Sequence, residues 1–214
     1  MSQFEIGRLL VAARVGSSCG GLTGEQRYIL YSTALTTGLR VSELASLTPA
    51  HFDLDGDSPS VTIHAADEKS RRGDVLPLHP EIVHLLRPVI KSLEQNERLW
   101  PGTWAERRHG NKMMRHDLDA ARAAWLDDAE TKADRDVRDR TDVLCYRDND
   151  GKQADFHTLR HTFLSRLGRF GASPKVMQRL ARHTSVELML GRYTHANVYD
   201  LTLAINALTT IDTP

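Results

Sequence analysis

A mainly α chain carrying one small antiparallel β-sheet, an α+β architecture, is predicted by three observations. Apolar residues recur at helical spacing along most of the 214 positions, the period shortens to two on either side of one Gly-containing connection, and helix start and stop residues fall where the periodic runs begin and end. With 40% hydrophobic residues the chain can bury a proper core, and 1–214 is expected to form a single domain. No run of eighteen apolar residues and no charged-then-apolar leader occurs, so nothing is expected to span or cross a membrane. The two cysteines, Cys19 and Cys145, lack metal or redox spacing, which suits a reducing cytoplasm and excludes a disulfide framework. A formal net charge of zero argues against nucleic-acid binding through a bulk positive field but leaves room for a local basic surface. Of the 28 basic residues, 22 are Arg, the side chain whose planar fork grips phosphate at two points, but an Arg-preferring, GC-rich genome is the better account of such a bias and nothing rests on it.

The elements follow in order. Residues 1–21 hold a short amphipathic helix, with Phe4, Ile6, Leu9, Leu10 and Ala13 on one side, and then a Gly-Ser-Ser-Cys-Gly-Gly turn. Thr23 to Thr37 predicts a helix opened by a capping box of Thr23 and Gln26 and stopped by Gly38. A sharp turn then presents Arg40, while Val41, Leu44 and Leu47 pin the next short helix, and Glu43 one turn on is either a surface partner of Arg40 or, if Arg40 is functional, the residue that orients its guanidinium. Val61, Ile63 and Ala65 alternate, and the run Val75 to Leu78 resumes after a polar connection, which predicts a hairpin with Lys69, Arg71 and Arg72 at its turn. Pro80 to Leu93 is helical, with Ile82, Leu85, Leu86, Val89 and Ile90 as its buried stripe.

Between Asn96 and Lys132, Trp100, Trp104 and Trp125 are read as packing residues, Trp125 in one stripe with Leu118 and Ala121. The interleaved Arg107, Arg108, Lys112 and Arg115 are candidate contacts to a nucleic-acid backbone. Ala133 to Arg147 alternates in charge sign and is expected to be a solvated loop or an exposed helix end, with Val143 to Tyr146 as a short strand and Asp148 to Gly151 as a turn. The acidic stretch Asp148 to Asp155 lacks the ligand spacing and closing Glu of a calcium loop.

Asp155 is a candidate cap for a helix carrying His157 and Arg160 on one side, with Leu159, Phe163, Leu167 and Phe170 anchoring the adjacent face. Gly171 breaks it, and Ser173-Pro174 opens a second helix that turns Val176, Met177, Leu180 and Ala181 inward and ends near His183. A third short helix, about Val186 to Gly191, leads to Tyr193, and 196–214 holds a last amphipathic helix through Val198, Leu201, Ile205 and Leu208. Of the five tyrosines, Tyr28 and Tyr31 lie in a periodic helix and Tyr146 in the expected strand, which leaves Tyr193 and Tyr199 as candidates for chemistry.

The order H-x-x-R, a helix ending in histidine, then R-Y-x-H resembles the catalytic domain of tyrosine recombinases, the phage integrase family. Thr37 to Leu44 looks like the family's first arginine motif, and Lys69 stands eight residues before Pro77 where the family places its catalytic lysine. The resemblance spans about Leu22 to Thr209 and implies a site-specific recombinase that cuts and rejoins double-stranded DNA through a 3′-phosphotyrosyl intermediate. It implies that Arg40, Arg160 and His183 hold the phosphate, Tyr193 attacks, His157 takes its proton and Lys69 protonates the leaving oxygen. No cofactor or metal is implied, and the partners would be DNA and further copies of the chain in a tetrameric synapse. The family's usual N-terminal DNA-binding domain has no counterpart in these residues, and the last helix docks either in cis or on a neighbour. The competing readings are a type IB topoisomerase with similar residues, a non-catalytic helix-turn-helix protein built on Ser173 to Gly191, and a zinc site. The last needs a glutamate between His157 and His161 on the metalloprotease pattern, where Thr158 stands instead.

Overall fold

The computed structural model describes residues 1–64, 73–106 and 108–182. Among the described residues it is mostly helical with a small antiparallel sheet, as the sequence predicts, and that sheet has three strands. Two compact units divide after Phe163.

In the first unit, helix α1 (Gln3–Val15) opens on a full capping box: Glu5 N–H donates to Ser2 Oγ at 3.2 Å and Ser2 N–H donates to the Glu5 carboxylate at 2.8 Å. Burial pulls the Glu5 carboxyl up, but the donors from Ser2 and the Leu144 N–H outweigh it and hold the pKa below the usual carboxylate range. Helix α2 (Gly24–Thr37) has the same device in Thr23 and Gln26, and it ends at Gly38 in the left-handed conformation, φ 64°. Only glycine serves here for a second reason, because a Cβ on Gly38 would lie 2.4 Å from the Phe163 ring. Helix α3 (Val41–Ser46) follows immediately.

The sheet is ordered β1 (Phe52–Asp53), β2 (Ser60–Ile63), β3 (Asp74–Pro77), with Val61 opposite Leu76 and both buried. β1 pairs Phe52 with Val61 and is not foreshadowed in the sequence, since a two-residue strand carries no periodicity. Helix α4 (Pro80–Lys91) buries Ile82, Val83 and Leu86, whereas Leu85, Val89 and Ile90 of the expected stripe are half-exposed. Helix α5 (His109–Asp127) packs against α1 and buries Met113, Met114, Leu118 and Ala121. Trp100 and Trp104 are core residues as expected, and the Trp104 indole N–H donates to the Trp100 carbonyl at 3.1 Å. Trp125 is only half-buried, edge-on to Phe4 and beneath the Arg138 guanidinium.

The charged stretch after α5 buries no residue in Lys132–Asp139, as its alternating charge predicts, but it forms a helix of its own, α6 (Lys132–Asp139), capped by Thr131, where the sequence predicts a loop or a helix end. The strand expected at Val143 to Tyr146 is absent. Arg122 donates to the carbonyls of Asp139, Thr141 and Val143, at 2.6 to 3.0 Å, and so occupies two acceptors in and beside that stretch. Leu144 is buried at a left-handed φ of 62°, which no extended ladder accommodates.

Helix α7 (His157–Arg169) begins in the first unit and runs past the boundary. Asp155 caps it, its Oδ1 accepting from Thr158 N–H at 3.2 Å. Leu159, Phe163 and Leu164 are buried, but Phe170, expected in the core, is 84% exposed. It lies beyond the last helical turn, so the helical spacing that pointed inward no longer governs it. In the second unit, helix α8 (Pro174–Ala181) is capped by Ser173, and Met177 and Ala181 are buried while Val176 is exposed. Arg182 closes it in the left-handed conformation, just short of His183. Among the described residues no helix is long and apolar enough to cross a membrane.

Candidate active site

The site is organised by the left-handed turn at Gly38. Because the chain reverses there, Arg40 becomes the residue preceding α3, and Glu43, one turn in, reaches back to it twice. Its Oε2 accepts from the Arg40 N–H at 2.6 Å and its Oε1 from the guanidinium at 2.7 Å. Glu43 is completely buried, whereas the Arg40 side chain stays 27% exposed. One edge of the guanidinium is thus held from inside the protein. A short ion pair with only its carboxylate buried fixes the direction of the guanidinium more than it adds stability.

Arg160 approaches the same turn from α7. It is buried, and its Nη1 donates to the carbonyl of Gly38, two residues before Arg40. The two arginines singled out in the sequence, 120 positions apart, are therefore brought to one reversal of the backbone. Phe163, one turn further along α7, packs on the bare Cα of Gly38 and holds the helix close. His157 is exposed at the start of α7, and its ring meets that of His161 edge-on, with centroids 4.7 Å apart. Thr162 accepts a hydrogen bond from the Met1 amino group at 3.4 Å.

Of the other candidates, Lys69, Arg71, Arg72, Arg107, His183 and Tyr193 lie outside the described residues. Arg108, Lys112 and Arg115 are exposed; Arg108 precedes α5 at φ 63°, and Arg115 pairs with Asp119 at 3.6 Å and lies over the Tyr146 ring.

A family model described as the phage integrase family matches residues 1–199. The chain belongs to that family. A probable site-specific recombinase in the afa region of Escherichia coli is 26% identical over 206 residues, which cover 96% of this chain and 74% of that protein. Among solved structures, XerA recombinase aligns over 96% of this chain at 22% identity and a TM-score of 0.64. The Tn1549 transposon integrase, residues 82–397 in complex with circular intermediate DNA, aligns over 98% at 17% identity and 0.63. These likenesses show the integrase fold. The chain spans 63% and 66% of the two solved structures, less than two thirds of either.

Within this integrase chain one buried charged group, on the α2 helix that ends at the site, was not read from the sequence. Arg27 of α2 is fully buried and paired with Asp117 of α5 at 2.9 Å, while its other nitrogens donate to the carbonyls of Leu22 and Ala13, each at 3.1 Å. Tyr31 adds a hydroxyl donor to the same carboxylate at 2.7 Å. Burial first, and the Asp117 charge second, push the Tyr31 phenol well above its ordinary pKa. A signal was available: Arg27, Leu30 and Ala34 share one helical face, as do Asp117, Met113, Met114 and Ala121, so each apolar stripe carried one unexplained charge.

Proposed function

We propose that this chain is the catalytic part of a site-specific DNA recombinase that breaks and rejoins DNA through a covalent phosphotyrosine. The observation that carries the reading is the seating of Arg160 on the Gly38 carbonyl beside an Arg40 held by buried Glu43. Two guanidiniums converging on one turn suit a single anionic group, and a phosphodiester needs such donors twice. They offset its charge against an incoming nucleophile, and they stabilise the added charge of a five-coordinate transition state.

In the reaction, the Tyr193 oxygen bonds to phosphorus, the bond from phosphorus to the 5′-oxygen breaks, and the phenolic proton passes to His157. Lys69 supplies a proton to the leaving 5′-oxygen, and His183 adds a donor to the phosphate. The phosphotyrosyl ester conserves the energy of the broken bond, so a 5′-hydroxyl of a second strand reverses the step without a cofactor. Arg71, Arg72, Arg107, Arg108, Lys112 and Arg115 serve as DNA contacts, and strand exchange between two duplexes calls for four protomers. The Tn1549 integrase, which shares this fold, was solved in complex with circular intermediate DNA, and this supports DNA as the partner.

The test is covalent trapping on nicked DNA. Tyr193→Phe should abolish the protein–DNA adduct on denaturing gels while leaving DNA affinity nearly unchanged, and Tyr199→Phe should still form it. An adduct that survives Tyr193→Phe overturns the nucleophile and with it the reading of the C-terminal motif. Relaxation of supercoiled plasmids without exchange would instead favour the topoisomerase reading.

A further inference from the structure

The first N–H groups of any helix lack partners within it and must find them elsewhere. In α7 the Thr158 N–H is served by Asp155, a local contact that moves with the helix. The Phe156 N–H is served from outside: it donates to Asn111 Oδ1 of α5 at 3.3 Å, across 45 residues of sequence. The Phe156 ring is buried in the same place. It packs against Trp104 with centroids 5.6 Å apart and meets Tyr31 edge-on at 5.9 Å. The α5 backbone passes directly beneath it, where a Cβ on Gly110 would lie 3.6 Å from the ring.

Two different supports therefore act on the first turn of α7. Arg160 is tied to the end of α2 through the Gly38 carbonyl, and the residue before His157 is tied to α5 through Asn111. Ring contacts tolerate sliding and rotation, whereas a hydrogen bond is directional and fixes how the helix start is turned. We infer that Asn111 is a positioning residue for His157, holding the opening of α7 so that the imidazole stands where the nucleophile's proton must go. The inference rests on the recombinase reading above. Without the Asn111 acceptor Phe156 stays buried, but the start of α7 gains freedom that Arg160, tethered one turn on, does not share. The chemical step should then slow while phosphate binding persists.

The experiment measures single-turnover adduct formation at saturating trapped DNA, together with DNA affinity and thermal melting. Asn111→Leu removes the acceptor at similar size, and Asn111→Asp keeps an acceptor oxygen. Misplacement of a reacting group costs rate steeply, so Asn111→Leu should slow adduct formation on the order of tenfold with DNA affinity within about twofold, and Asn111→Asp should restore most of the rate. In a His157→Ala background, Asn111→Leu should add no further loss, because it acts through the missing side chain. A merely structural residue would slow that background by the same factor, which would overturn the inference. So would an Asn111→Leu as fast as the parent, or an Asn111→Asp as slow as Asn111→Leu. Should Asn111→Leu fail to fold by melting, Asn111→Ala takes its place under the same criteria. A parent chain that forms no adduct refutes the recombinase reading itself, and that is seen before any variant is compared.

Discussion

Arg27 and Arg40 each meet a buried carboxylate within 3 Å, Asp117 in one case and Glu43 in the other, yet the two guanidiniums are left in opposite states. Arg27 is 0% exposed, and all three of its nitrogens are taken up by Asp117 and the carbonyls of Leu22 and Ala13. Arg40 is gripped by a Glu43 as buried as Asp117, but more than a quarter of its side chain faces outward. The first arrangement ties α1, α2 and α5 together. The second holds an arginine from behind and presents it. What separates these two arginines is thus how much of the fork the fold consumes, and the identity of the counterion says nothing about it.

The comparison breaks most visibly at the closed pair. Arg27→Met keeps the aliphatic bulk and strands Asp117 in the core with only the Tyr31 hydroxyl beside it, so unfolding in urea should show a loss of about 3–5 kcal/mol. The double variant Arg27→Met with Asp117→Leu removes both charges and should recover most of that loss, since an apolar pair of similar volume needs no compensation. A single variant that costs less than about 1 kcal/mol would mean that the pair is not desolvated and that the contrast with Arg40 is false.

The open pair should respond in rate. Arg40→Lys keeps the charge and loses the fork, so adduct formation at saturating DNA should fall about 100-fold, which is about 2.7 kcal/mol of barrier, while affinity changes little. Arg160→Lys should behave alike, because on the proposed recombinase reading its guanidinium serves both the Gly38 carbonyl and the phosphate. Equal losses of affinity and rate would make these residues general backbone contacts.

The same contrast explains what the sequence made legible. The caps of α2 and the arginine motif were readable because Thr23, Gln26, Gly38, Arg40 and Glu43 act within a few positions of one another, and local rules govern them. Arg160 was readable through its spacing from His157. The Gly38 carbonyl that seats it was not, because a backbone acceptor has no sequence signature and the contact closes 122 residues of chain. Asn111 is hidden for the same reason. At Val143 to Tyr146 local propensity pointed to a strand and lost to Arg122, whose tertiary grip on two carbonyls no window of sequence reveals.

The smallest expected effect sharpens the closed pair by pH. The Tyr31 hydroxyl donates to a buried carboxylate, so Tyr31→Phe at pH 8 should cost about 1.5 kcal/mol, within the range for hydrogen bonds to charged groups. Burial and the Asp117 charge both penalise the phenolate, so the folded chain keeps the Tyr31 proton to higher pH than the unfolded chain does. The folded state then binds more protons above the ordinary tyrosine pKa of about 10, and the stability due to Tyr31, complete below that pH, drains away as pH rises past it. Tyr31→Phe has no proton to lose at this position. Melting curves of the two chains taken from pH 8 to pH 11 should accordingly differ at the lower end and converge at the upper. Curves that stay parallel across that range would mean that Tyr31 titrates alike folded and unfolded, and that the Arg27 and Asp117 network is less sealed from water than its zero exposure implies.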